Sequence, residues 1–169
     1  MRYKRTDSGR HVNPLAILSC AIYSDTMTLT PPDMICFALY SAAHAMQQAY
    51  KPMLDELGIT YPQYLVLSVL WAQDDQTVGA IGRQVQLDSN TLTPLLKRLQ
   101  SQGIVSRERD AQDERQVRIR LTEKGYALRY AARHIPECIL DKSGLTLVDA
   151  TALRDKVTAL RNHLRDEAT

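Results

Sequence analysis

The sequence predicts a mainly α-helical chain with one small β-hairpin. From residue 30 onward, apolar side chains mostly recur at helical spacing, and capping residues mark where helices begin. Between residues 105 and 121, apolar and polar side chains alternate instead, which is typical of strands. The length of 169 residues fits about one domain, which we place as a single compact domain at 31–169.

The start of the chain differs in composition from the rest, and residues 1–30 are predicted to be an N-terminal extension. It begins basic and polar, and the short apolar run that follows is broken by Asn13 and Pro14. This pattern disfavours a secretory or lipoprotein signal with Cys20 as the lipid acceptor. We expect either a mobile arm or an upstream extension of a chain whose functional part begins near Met27.

Two helices are predicted between residues 31 and 76. The first helix follows the prolines at 31 and 32 and ends at Gly58. Thr60 then caps a second helix, and Gln63, three residues later, completes a capping box. The second helix carries one apolar stripe, formed by Leu65, Val66, Val69 and Leu70.

Residues 77–101 are predicted to form a helix, a tight turn and a second helix that begins after an N-cap at Asp88. This second helix has an apolar stripe at Leu92, Leu95, Leu96 and Leu99. At about 100° per residue, the opposite face of this helix carries Asn90, Pro94, Lys97 and Ser101, and Thr91, Thr93 and Arg98 flank it. The hydroxyls, the amide and the cations on this face suit DNA bases and phosphates. The alternative is an ordinary amphipathic helix with a solvated polar face.

A basic hairpin follows this helix. Its returning strand places Val117, Ile119 and Leu121 on one face and Gln116, Arg118 and Arg120 on the other. Residues 97–120 hold seven Lys or Arg against four Asp or Glu, although the whole chain carries a net charge of only +2. Arg115, beside the tip, could enter a minor groove, and Asp113 could hold its guanidinium in place. The two helices and the hairpin together predict a winged helix-turn-helix, which places one helix in the major groove; a mildly basic solvated hairpin is the alternative.

The end of the chain is predicted to be helical. A helix begins at Thr122 and is interrupted or kinked at Pro136, and a last helix begins at Thr146. The last helix carries an apolar seam at Leu153, Val157, Leu160 and Leu164. The seam packs either on its own protomer or on a second copy, and a dimer would match two DNA half-sites. We therefore predict that 31–60 and 122–169 form the dimerisation region and that 61–121 binds DNA.

Several other classes of protein find no support in the sequence. No apolar run approaches the roughly 18 residues of a membrane-spanning helix. The three cysteines, Cys20, Cys36 and Cys138, form neither a disulfide framework nor a metal-ligand pair. A Gly-rich phosphate loop and a nucleophile elbow are both absent from the sequence. We expect a cytoplasmic protein with no metal, cofactor, membrane partner or enzymatic activity.

The predicted order of elements resembles the MarR family of dimeric transcription regulators. Four segments resemble the organic-hydroperoxide-sensing repressors of that family: 36–40 (CFALY), 60–64 (TYPQY), 87–99 (LDSNTLTPLLKRL) and 113–117 (DERQV). The similarity covers about residues 33–135 well and the C-terminal region less well. The resemblance implies a peroxide-reactive Cys36 with Tyr50 and Tyr61 as its hydrogen-bonding partners. It also implies DNA contacts on the second helix and at the wing, from Ser89, Thr91, Thr93, Asp113 and Arg115.

The position of Cys36 near the start of a predicted helix bears on its reactivity independently of the family resemblance. A thiolate is the form of cysteine that attacks a peroxide, and a position near a helix N-terminus favours it modestly. Hydrogen bonds from phenols would favour the thiolate further. A buried and inert cysteine among apolar neighbours is the alternative. Tyr50 lies 14 residues after Cys36, which is roughly 21 Å along a helix, so an unbroken helix requires that Tyr50 come from a second subunit.

We therefore predict a homodimeric repressor that binds double-stranded operator DNA when reduced and releases it when organic hydroperoxide oxidises Cys36. The resulting sulfenic acid would condense with another thiol, for which Cys138 is the candidate. In two-cysteine members of the family we would place that thiol about one turn later, where this chain has Asp141. Cys138 is then either a substitute or a packing residue, in which case a small cellular thiol resolves Cys36. A regulator released by a small phenolic ligand and a thiol peroxidase are the alternative functions.

Overall fold

The computed structural model describes residues 29–110, 113 and 115–167, and it is mostly helical with a small antiparallel sheet, as predicted. The chain divides into two structural units, Met1–Ala43 and His44–Thr169. The predictions for the N-terminal extension, including the one for Cys20, lie almost wholly outside the described residues. The boundaries of the dimerisation and DNA-binding regions stay a prediction.

The described part of the first unit contains one 3-10 turn and the start of the first helix. The turn spans Pro31–Asp33, and the Asp33 carboxylate accepts hydrogen bonds from the Thr30 N–H at 3.1 Å and the Thr30 hydroxyl at 2.7 Å. Helix α1 (Ile35–Glu56) follows, and it is unbroken although Pro52 lies inside it. The chain thus enters α1 through the prolines that the sequence placed at its start.

Two local features separate α1 from helix α2 (Tyr61–Ala72) in the second unit. Gly58 has a φ of +68°, in the left-handed region that glycine adopts without strain, so α1 ends where the sequence predicted. The Thr60 N–H donates to Oε1 of Gln63 at 2.8 Å, which confirms the capping contact predicted for α2. The predicted stripe of α2 is buried or half-buried, at Leu65, Val66, Val69 and Leu70.

The helix-turn-helix consists of α3 (Val78–Val85) and α4 (Ser89–Ser101). Asp88 is the N-cap of α4, as predicted, because its carboxylate accepts the Thr91 N–H at 2.8 Å. The predicted stripe of α4 is in the core, where Leu92, Leu96 and Leu99 are fully buried and Leu95 packs against them. The polar face of α4 is therefore turned outward, and we call α4 the recognition helix.

The sheet has three antiparallel strands, β1 (Gln76–Thr77), β2 (Val105–Arg109) and β3 (Val117–Leu121), in the order β1-β3-β2. Strands β2 and β3 pair along their whole length and form the predicted wing, with Ile119 and Leu121 facing the core. The prediction of a two-stranded ribbon was incomplete, because β1 pairs with β3 as a third strand. A strand of two residues is too short to show an alternating pattern in a sequence.

Three helices follow the wing: α5 (Glu123–Ala131), α6 (Ile135–Ser143) and α7 (Leu147–Asp166). A 3-10 turn separates α5 from α6, and Pro136 lies in the first turn of α6, so the predicted interruption is confirmed. Thr146 caps α7, as predicted, by accepting the Asp149 N–H at 3.1 Å. Within the described ranges, no helix combines the length and apolar character needed to cross a membrane.

Helix α5 is held close to the start of β2 at Gly125. A Cβ atom added at Gly125 would lie 2.3 Å from the carbonyl oxygen of Ile104, so only glycine fits there. The indole N–H of Trp71 donates to the Gly125 carbonyl at 3.0 Å. These contacts join α2, α5 and β2 and fix the base of the wing.

Candidate nucleic-acid interface and redox site

The recognition helix presents most of the predicted DNA-binding residues to solvent. Exposed side chains on its outer surface are Ser89, Asn90, Thr91, Lys97 and Arg98, and Thr93 is half-buried. The Thr91 hydroxyl donates to the Asp88 carboxylate at 3.2 Å, and the bonds from Thr91 hold the pKa of that carboxyl below its usual value. Thr91 therefore supports the start of the helix as well as lying on its outer face.

The wing tip differs in one detail from the prediction. The Asp113 carboxylate accepts the backbone N–H of Arg115 at 3.0 Å and the side-chain amide of Gln116 at 3.0 Å. Asp113 therefore holds the backbone beside Arg115 and not its guanidinium, because the short two-residue separation lets the carboxylate close an Asx-type turn. Arg115 is exposed on a turn that the hydrogen bonds to Asp113 hold in place.

Predicted residues from two elements line one cavity of about 620 Å³ between the helix-turn-helix and the wing. Ser89 and Thr93 come from the recognition helix and Arg115 from the wing. Arg83 of α3 and Arg107 of β2, which the sequence analysis missed, line the same cavity. Thr91 and Arg98 instead line a separate recess of about 280 Å³ beside the first turn of α2.

A carboxylate between α2 and β1 braces the wing from behind. Asp75 accepts the Arg118 Nε–H at 2.6 Å and an Arg120 N–H at 3.3 Å, and these bonds, the one from Arg118 first, lower the pKa of Asp75 to about 2. Arg118 also donates to Asp110 at 2.9 Å and Arg120 to Glu108 at 2.9 Å. Asp75 could not be predicted from the sequence, because it lies 43 residues from Arg118 in the chain.

Cys36 is the second residue of α1 and is exposed, so the alternative of a buried sulfur is wrong. It lies in the first turn of the helix. Cys138 lies in α6 and is half-buried, and both thiols are free. Cys36 is therefore open to solvent in the single chain.

The two predicted tyrosines lie together in the second unit. The ring centroids of Tyr50 and Tyr61 are 5.0 Å apart, and Tyr64, which the sequence analysis missed, lies 5.8 Å from Tyr50. Tyr64 is one helical turn after Tyr61, so its spacing was a usable signal. Burial, followed by the proximity of Tyr61 and Tyr64, raises the pKa of Tyr50 to about 12, and burial also raises the pKa of Tyr61. Both phenols are consequently protonated hydrogen-bond donors at neutral pH.

A chain of amides connects the first turn of α2 with the end of the recognition helix. The Gln63 amide donates to Oε1 of Gln102 at 3.2 Å, and the Gln102 amide donates to the Gly58 carbonyl at 3.1 Å. Lys124 of α5 donates to the Gln102 carbonyl at 2.9 Å. Gln102 immediately follows α4, so the recognition helix and the tyrosine-bearing helix share these bonds.

No group of three or more His, Cys, Asp or Glu side chains suited to a metal ion occurs among the residues that the structure describes.

Comparison with known proteins identifies the family. The transcriptional regulator TtmR of Methylorubrum extorquens (strain PA1) is 47% identical over 134 residues, which are 79% of this chain and 69% of that protein. The organic hydroperoxide resistance transcriptional regulator of Bacillus subtilis (strain 168) is 44% identical over 135 residues, which are 80% of this chain and 92% of that protein. The chain belongs to the MarR family of transcriptional regulators. The predicted family is confirmed, and a SarA/Rot transcriptional regulator model matches residues 48–129 of this MarR-family chain.

Solved structures agree with this assignment. Reduced AbfR bound to DNA has a TM-score of 0.69 to the MarR-family chain at 34% identity, covering 90% of this chain and 99% of that one. Overoxidized AbfR bound to DNA has a TM-score of 0.66 at 35% identity, with the same coverage. AbfR is a protein of Staphylococcus epidermidis.

Proposed function

We propose that this chain is a homodimeric transcriptional repressor that binds operator DNA while Cys36 is reduced and releases it when an organic hydroperoxide oxidises Cys36. One observation carries the proposal: Cys36 is exposed in the first turn of α1, in a chain 44% identical to an organic hydroperoxide resistance regulator. Peroxide must reach the sulfur, and an exposed position allows this.

The proposed sensor is shared between two subunits. Helix α1 is unbroken between Cys36 and Tyr50, which separates these two residues of one chain by roughly 21 Å along the helix. The proposed hydrogen bond to the sulfur therefore comes from the partner subunit's Tyr50. A dimer is supported by exposed apolar side chains in the first turns of α1, at Ile35, Phe37 and Tyr40. Protonated phenols at Tyr50 and Tyr61 are suited to stabilising an anion without adding charge.

The proposed oxidation proceeds in two balanced steps. The Cys36 thiolate attacks the distal peroxide oxygen, the O–O bond breaks, and the sulfur is oxidised by two electrons to sulfenic acid. The alkoxide that leaves takes a proton from water and becomes the alcohol. A second thiol then attacks this sulfur and expels water as the disulfide forms. The second thiol is Cys138 or a small cellular thiol. AbfR has been solved with DNA in its overoxidized form and separately in a disulfide form, so we expect the disulfide, not a higher oxide, to release DNA from this chain.

A DNA-binding titration tests the proposal. Reduced protein is titrated into a fluorescent duplex selected by the protein from a random library, with and without cumene hydroperoxide. We expect the oxidant to weaken binding by the wild type and to leave binding by Cys36→Ser unchanged. Cys138→Ser is the matched thiol control: it keeps the response if a small thiol resolves Cys36 and loses the covalent dimer on non-reducing gels if Cys138 does. Release from Cys36→Ser by the oxidant would refute the proposal.

Two further measurements separate the alternatives. Release by a phenolic compound in the presence of reductant would assign the chain to the ligand-responsive regulators and make Cys36 a bystander. Consumption of many peroxide equivalents per subunit, with thiol as reductant, would indicate a thiol peroxidase. A sensor needs to react only once for each switching event, so we expect about one equivalent per Cys36.

A further inference from the structure

The arginines around the wing fall into two groups that differ in their partners. Arg118 and Arg120 are held by carboxylates, and their charges are largely neutralised by Asp75, Asp110 and Glu108. Arg83, Arg107 and Arg115 make no ion pair with any residue in the described part of the chain, and all three line the cavity of about 620 Å³. Paired arginines support the fold, whereas cations gathered without an acid among the described residues form a positive surface that suits an anion from outside.

Arg107 gives the clearest sign of a missing acceptor. It lies in the middle of β2, opposite Ile119, and its Nε is buried with no hydrogen-bond partner among the described residues. A buried charged donor without an acceptor costs free energy, and such groups rarely persist without a function. Arg107 lines a cavity that Ser89 and Thr93 of the recognition helix also line.

The first turn of α3 adds further positive potential to the same cavity. Val78 and Gly79 line it, and the first amides of a helix have no acceptor within the helix. Arg83 folds back over this turn, with its Nη1 at 3.8 Å from where a Cβ on Gly79 would be. Because Gly79 has no side chain, an oxygen can approach the turn closely. Among the residues that the structure describes, the cavity lining includes no acidic side chain, although Asp113 contacts Gln116 at its edge.

We propose that this cavity holds a backbone phosphate of duplex DNA, clamped by Arg83 and Arg107 between the recognition helix and the wing. The inference rests on the proposed DNA binding but not on the proposed redox switch. Guanidinium forks match the geometry of a phosphate and carry no information about the base. The clamp sets the register of the recognition helix in the major groove, and Arg115, on the same cavity, points toward the neighbouring minor groove.

The test measures the affinity of reduced protein for two duplexes, one selected by the wild type from a random library and one with its sequence scrambled, over a series of salt concentrations. We expect Arg83→Ala and Arg107→Ala each to weaken binding to both duplexes by a similar factor, roughly 10- to 100-fold. The slope of log affinity against log salt should fall by about one in each variant. Arg107→Lys, which keeps the charge but loses the fork, should retain the slope and part of the affinity.

Arg129→Ala is the matched control, since Arg129 is exposed on α5 and away from the cavity lining. Thermal melting of each variant separates loss of folding from loss of the contact with DNA. If Arg107→Ala is unstable, Arg83→Ala still tests the proposal, because Arg83 is exposed. Equal affinity in the Arg83 and wild-type proteins would overturn the proposal while leaving the redox switch standing. A loss of affinity confined to the selected duplex would also overturn the proposal, because it would show that these arginines read bases. Binding of free inorganic phosphate with unchanged DNA affinity would overturn it too, because the cavity would then be a site for small anions.

Discussion

The apolar seam of α7 is open to solvent in the single chain. Leu153 is 51% exposed and Leu164 is 61% exposed, and the alternative that this seam packs on its own protomer is therefore wrong for these positions. A helix with exposed leucines at this spacing indicates a second helix to cover it. We expect that second helix to come from a second copy of the chain, and the double substitution Leu153→Ala/Leu164→Ala removes its two most exposed seam residues.

The size of the effect follows from the exposed fractions. Full burial of a leucine side chain contributes roughly 1.5–3 kcal/mol, so burying about half of one contributes about 1 kcal/mol. A two-fold interface uses every position twice, and two positions therefore contribute about 4 kcal/mol. At about 1.4 kcal/mol for each factor of ten, the double variant should dissociate about 1000-fold more readily. Alanine favours the helix, so the fold of α7 itself should be retained.

Sedimentation equilibrium over nanomolar to micromolar protein measures the dimer dissociation constant directly. Val148→Ala is the matched control, since Val148 is 77% exposed but lies about 140° around the helix from Leu153. We expect the control to dimerise as the wild type does. An unchanged dissociation constant in a double variant that still melts normally would refute the seam as the interface. The weakened dimer should also bind its duplex less tightly, because two joined half-site contacts become separate events.

Three further predictions concern the contacts that hold the site. Gln102→Leu should lower the free energy of unfolding in urea by about 1–3 kcal/mol, because it leaves the buried Gln63 amide without its acceptor, whereas the exposed Gln100→Leu should not. Gly125→Ala should cost roughly 1–3 kcal/mol or more in the same assay, because its Cβ would lie 2.3 Å from a carbonyl oxygen. Since the folded pKa of Asp75 is depressed to about 2, its contribution to stability is full above pH 4 and is lost as pH falls toward 2. Asp75→Asn should therefore be less stable than wild type at pH 6 and approach it in acid melts.

Local sequence signals predicted most of the fold. The apolar stripe of α4 and its N-cap depend on residues within one or two turns of each other. The same holds for the N-caps of α2, where Thr60 contacts Gln63, and of α7, at Thr146. Hydrogen bonds over three or four residues leave a fixed spacing in the sequence, so they can be found without a structure. The alternation of β3 predicted its buried face for the same reason.

The parts that escaped prediction depend on residues distant in the chain. Asp75 pairs with Arg118 across 43 residues, and no spacing rule connects a loop acid to a strand arginine. Arg83 and Arg107 share a cavity only because α3 packs beside the wing. From the sequence alone, a paired arginine such as Arg118 and an unpaired one such as Arg107 look alike. Only the fold separates the arginines that brace the wing from those left without a partner.

The amide bonds around Gln102 suggest why oxidation of a distant thiol would be felt by the recognition helix. Tyr61 opens α2, and Gln63 in the same turn both caps that helix and donates to Gln102, at the end of α4. If the proposed oxidation shifts the first turn of α2, these side-chain amides would carry the shift to the C-terminal end of α4. We expect such a shift to misalign the recognition helices of a dimer, whose two half-site contacts must fit the DNA at the same time.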